Sequence, residues 1–76
     1  MTRQTYTVIR QPGGWAVSCG QAMLCCYRTQ EQAIAQARAL GRENWREHGE
    51  PCEVQVLGVT GLIRVEATYG LEQHVV

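Results

Sequence analysis

Thr29-Gln30-Glu31-Gln32, followed by Ala33-Ile34-Ala35-Gln36-Ala37-Arg38-Ala39-Leu40, decides the fold of this 76-residue chain. Thr29 stands where a side-chain oxygen can accept from the free amides of a first helical turn, and Gln32 can reach back to close a capping box. Steps of 100° put Ala33, Ile34, Ala37, Leu40, Gly41 and Trp45 on one stripe, three small residues with Ile34, Leu40 and Trp45 as bulky anchors. Arg42, Arg46, Gln32, Gln36 and Glu43 take the opposite face. Gly49 suits a left-handed C-cap and Pro51 a stop, so the helix is predicted over residues 30–48.

Short β-type runs flank this helix on both sides. Residues 4–10 alternate, with Tyr6 and Val8 on one face and Thr5, Thr7 and Ile9 on the other. Pro12-Gly13-Gly14 turns the chain, because Pro cannot donate to a ladder and Gly-Gly permits positive φ. Residues 15–19 return with Trp15, Val17 and Cys19 on one side, and Met23-Leu24-Cys25-Cys26-Tyr27 forms a third short run. After the helix, Val54 and Val56 alternate with Glu53 and Gln55. Thr60-Gly61 turns, and residues 62–67 come back with Ile63 and Val65 inward by pattern.

The predicted class is α+β: an antiparallel sheet of four to five strands with one helix packed on one face, in the order β-β-(β)-α-β-β. One domain spans 1–76, with its ordered core over about 4–67 and a tail over 68–76. One helix covers one face. The uncovered face is expected to carry Thr5, Thr7, Ile9, Ala16, Ser18, Gln55, Leu57, Leu62 and Arg64, of which Ile9, Leu57, Leu62 and Arg64 form a candidate partner surface.

Bulk composition narrows the function classes. A domain this small buries only roughly 60% of its unfolded surface, and such chains often lean on a staple or a second copy. Seven Arg balance seven Glu, with no Lys, Asp or Phe, so no strong field collects nucleic acid or anionic membrane. No apolar run is long enough to span a bilayer. Met1-Thr2-Arg3-Gln4-Thr5 has no apolar signal region, so the expected location is the cytoplasm. There Cys19, Cys25, Cys26 and Cys52, all within apolar runs, read as reduced core thiols.

Three segments together resemble a known family. Gly13-Gly14-Trp15-Ala16-Val17, then Thr29-Gln30-Glu31-Gln32-Ala33-Ile34 with Ala37-Arg38, then Gly61-Leu62-Ile63-Arg64 with Thr68-Tyr69-Gly70 are similar to the small bacterial domain catalogued as domain of unknown function 2188. Leu24-Cys25-Cys26-Tyr27 departs from it in being richer in Cys. The resemblance covers nearly the whole chain and implies a hairpin/helix/hairpin domain. It carries over no catalytic residue.

Each candidate site has a competing structural reading. A zinc site would use the thiols with His48, whose His48-x₃-Cys52 spacing bridges the helix end and the next strand. Zinc sites usually draw two ligands from one C-x₂₋₄-C turn, and no such pair exists here. At the helix C-terminus, a charged His48 has a sufficient role in complementing the dipole. Arg38, Arg42 and Arg46 recur every fourth residue and could contact phosphates, but Glu43, Glu47 and Glu50 dilute the stripe. Trp15 and Trp45 read as core anchors rather than stacking platforms. Gly58-Val59-Thr60-Gly61 lacks the Lys and the following helix of a phosphate loop.

The leading expectation is a non-enzymatic protein-interaction module without cofactor, acting as a homodimer through the open sheet face or an edge strand. The alternatives are a nucleic-acid-binding accessory domain using Arg38, Arg42 and Arg46, and a thiol or zinc protein.

Overall fold

The computed structural model describes residues 4–20, 22–58 and 60–70; the side chains of Cys25 and Cys26 lie outside that description. Strands β1 (Gln4–Gln11), β2 (Gly14–Cys19) and β3 (Ala22–Tyr27) precede helix α1 (Gln30–His48), and β4 (Cys52–Leu57) and β5 (Ile63–Tyr69) follow it. The sheet order is β3-β2-β1-β4-β5.

The α+β class holds, but the sheet is mixed rather than antiparallel. β1 pairs with β4 in parallel, with Tyr6 opposite Val54 and Val8 opposite Val56. The other three pairings are antiparallel. Two hairpin turns leave β3 running in the direction of β1. The helix then carries the chain over the sheet to the free side of β1, so β4 enters parallel.

The helix forms as its sequence dictates. Thr29 Oγ1 accepts from the Gln32 amide at 3.1 Å. Gln32 Oε1 reaches back one residue past the cap, accepting from the Arg28 amide at 3.0 Å. Gly49 closes the other end at φ 67°, its amide bonded to the Trp45 carbonyl. Ala33, Ala37 and Gly41 are the helix's buried residues, and small side chains at every fourth position let the helix approach the strands closely. A Cβ on Gly41 would lie 3.2 Å from the Tyr69 ring.

Tyr6, Val8, Val17, Cys52, Val54 and Val56 fill the sheet side of this contact, with Trp15, Ile34, Leu40 and Tyr69 packed around them. Burying one such Val contributes about 1.5–3 kcal/mol. Trp45 is half-buried against Gly70, where a Cβ would meet its ring at 2.5 Å. Trp15 packs against the core cluster, while Trp45 packs on Gly70 just past the end of β5.

Two further expectations need correction in β5. The strand runs to Tyr69, so Thr68 and Tyr69 are paired, opposite Glu53 and Cys52, rather than being a tail. Residues 71–76 of the expected tail lie outside the described residues. Ile63 and Val65 do not point inward. A bulge breaks the β4–β5 register between Val54 and Gln55: Val54 faces Ala67, but Gln55 faces Val65, leaving Glu66 as the extra residue. A one-residue insertion flips every side chain beyond it to the other face. Ala67 and Tyr69 therefore keep the core side while Val65 and Ile63 turn outward. A similar shift on the opposite edge leaves Cys26 as the extra residue between Tyr27 and Cys25.

Candidate functional site: the open face of the sheet

Strand alternation assigns the open face directly. Val54 and Val56 are buried under the helix, so Glu53, Gln55 and Leu57 face away from it. By the same parity Thr5, Thr7 and Ile9 of β1 are on the open side, with Ala16 and Ser18 of β2 and Met23 of β3. After the bulge, Ile63 pairs with Leu57 and Val65 with Gln55 on this side.

These registers bring apolar residues into one row. Ala16 is opposite Ile9, Leu57 is opposite Ile63, and Ile9 and Leu57 each follow directly on the last parallel pair, Val8 and Val56, on the same face. Val65 adds to the row from the next tier. Ile63 and Val65 are 57% and 51% exposed, which is unusual for β-branched residues within a strand. Leu62 stands at the rim, 75% exposed, just before β5. Ala16 is fully buried although no helix covers it. Gln11 Nε2 of β1 donates to Met23 Sδ of β3 at 2.9 Å, and this contact bridges β2 on the side of Ala16.

Of the four residues expected to form a partner surface, Ile9 and Leu57 are neighbours on the open face, with Leu62 at its edge. Arg64 is elsewhere. It is opposite Val56, on the helix side, and binds Glu66 at 2.6 Å. The bulge accounts for both errors of parity: it exchanges Arg64 for Ile63 and Val65. Sequence alternation alone carries no mark of the inserted residue. The one available clue is that strict alternation would leave Arg64 and Glu66 together on the open side.

Charge divides between the faces. Among the described residues of the open face the single ionisable side chain is Glu53, at the end of the sheet away from the apolar row. Arg38, Arg42 and Arg46 lie on the helix, and Arg10 and Arg64 on its side of the sheet, Arg10 standing 5.8 Å from the Trp15 ring centroid; Arg28 is in the bend between β3 and α1.

The other candidates fall on the helix side. Arg38 and Arg42 line a shallow groove of about 520 Å³ together with Glu31, Ile34, Ala35 and Glu66, and Arg46 is not part of it. The groove is mixed in sign, so the arginine stripe does not form a uniform cationic surface there. A smaller hollow of about 230 Å³ is lined by Tyr6, Leu40, Glu43, Asn44, Glu47 and His48.

Next to that hollow sit the two described thiols, both free. Cys52 Sγ donates to the Glu50 carbonyl at 3.2 Å and accepts from Asn44 Nδ2 at 3.4 Å; Cys19 Sγ donates to Gln4 Oε1 at 3.3 Å. Burial pushes the Tyr6 phenol up to about 12, with the Cys19 and Cys52 thiols and Glu50 adding to it. Burial likewise raises Cys19, and Cys52 raises it further. These shifts favour neutral forms and make Cys19 a poorer nucleophile. Among the described residues no three of His, Cys, Asp and Glu are grouped to hold a metal ion. Nor, among them, is any helix long and apolar enough to cross a membrane.

No family model, no curated protein and no solved structure matches this chain.

Proposed function

We propose that this domain is a non-catalytic protein-interaction module whose working surface is the open face of the sheet. The observation that carries the reading is the bulge at Glu66. It turns Ile63 and Val65 out of the core and onto the open face, where Ile63 is opposite Leu57 and Val65 opposite Gln55. Two half-exposed β-branched residues on the same face as Leu57 and Ile9 gain little as isolated surface residues. They gain a great deal when a partner removes them from water. The absence of arginine on the described part of this face favours a protein over a nucleic acid. The hydrogen bonds that hold both thiols favour a structural role for Cys19 and Cys52 over a catalytic one. Kinship with domain of unknown function 2188 belongs to the same proposal. It rests on the order of the Gly13-Gly14-Trp15 turn, the Thr29-capped helix and the segment from Gly61 to Gly70.

Photo-crosslinking tests the surface. A benzophenone side chain replaces Gln55 on the open face or Gln36 on the outer side of the helix, in the purified chain and in cells expressing it. Position 55 is expected to yield covalent protein adducts and position 36 none. Adducts at neither position, or equally at both, would count against the reading.

A further inference from the structure

Resting on that reading, we infer that the occupant of the open face is a second copy of this chain, packed sheet against sheet. Three observations select it.

The first is size. Five strands of six to eight residues make a face of roughly 24 by 22 Å at ~4.8 Å between strands and ~3.3 Å per residue. Two such faces pressed together remove on the order of 1,000 Å² from water, the lower bound for a specific interface. An interface of that size is of the small class typical of weak, transient association.

The second is charge. A face that is to meet its own image cannot hold a concentration of one sign, because each charge would meet its copy. Here the apolar row of Ile9, Leu57, Ile63 and Val65 is free of ionisable groups, and Glu53 is set apart from it. Around a two-fold axis the row can lie against its own image, which makes the contact isologous and closed. Aligned sheets pack about 10 Å apart, so these side chains would interdigitate as a second core.

The third is the pair of edges. Strand addition would be the competing route to self-association, but each edge strand, β3 and β5, is bulged. Bulges at sheet edges disrupt the ladder that an added strand needs. The face is left as the route.

Sedimentation equilibrium of the purified chain from about 1 to 200 µM tests the inference, with Val65→Glu and Ile63→Glu as disrupting variants and Gln36→Glu as control. Circular dichroism checks that each variant is folded. The wild-type mass is expected to rise from 8.5 kDa toward twice that value with concentration. Val65→Glu and Ile63→Glu each bury an unpaired charge and are expected to weaken the dimer about 100-fold or more. Gln36→Glu should leave it unchanged. A wild-type monomer at every concentration overturns the second copy, while face-specific adducts from position 55 to another protein would leave the interaction module standing. A dimer that survives both open-face variants overturns the sheet-on-sheet geometry.

Discussion

Val54 and Gln55 are adjacent in β4, and Val8 and Ile9 are adjacent in β1, yet each pair is split between two different environments. Val8 and Val54 are wholly buried beneath a helix whose contact face is Ala33, Ala37 and Gly41. Ile9 and Gln55 belong to a face with no helix over it, where Leu57, Ile63 and Val65 supply apolar surface and Glu53 the charge. The covered face is completed within one chain. The open face has the makings of a core layer without the layer that would close it. A single inserted residue, Glu66, sharpens the difference, because without it Ile63 and Val65 would have stayed on the helix side.

The contrast can be broken most strongly from the covered side. Val54→Ala removes two methyl groups from a fully buried site and leaves a cavity, so urea unfolding should show a loss of about 2–3 kcal/mol. Val65→Ala, one strand away, should change the stability of the dilute monomer by less than about 0.5 kcal/mol. Equal losses at the two positions would mean that the faces do not differ as described.

The next effect follows pH. Tyr6 lies under the helix with its phenol raised from 10.0 to about 12. A raised acid pKa keeps the proton on the folded chain after the unfolded chain has released it. Its contribution is therefore intact below pH 10 and is lost as pH rises through 12, on the order of 2 kcal/mol in all. Unfolding followed from pH 8 to 12 should show this decline, and Tyr6→Phe should flatten most of it. A Tyr6→Phe chain with the same alkaline decline would place the titrating group elsewhere.

Much of the covered face was legible because its signals are local. The Thr29 cap, the Ala33-Ala37-Gly41 spacing, the Gly49 stop and the Tyr6/Val8 and Val54/Val56 alternations each lie within one segment. The parallel β1–β4 pairing was not legible, since it depends on where the helix returns the chain. The orientation of Ile63, Val65 and Arg64 was hidden for a related reason: a bulge is a relation between two strands, and β5 by itself reads as unbroken alternation from Ile63 to Tyr69. Tyr69 was misplaced with the tail because its partner, Gly41, is on a distant element. Of the candidate surface, Ile9 and Leu57 could be read from parity alone, whereas the two most telling residues could not.

A smaller effect tests the helix as the lid of the covered face. Thr29→Ala frees the Gln32 amide and should cost about 1 kcal/mol, read as a lower urea midpoint with no change in self-association. A loss of association in this variant would tie the open face to the helix in a way its placement does not predict.

The most direct measurement is the urea midpoint of wild type and of Val65→Glu, each at a few micromolar and at several hundred micromolar protein. If the open face closes on a second copy, the wild-type midpoint rises with concentration, by about 1 kcal/mol of stability at ten times the dissociation constant. Val65→Glu then stays at the dilute wild-type value throughout. A wild-type midpoint that is the same at both concentrations would contradict the account.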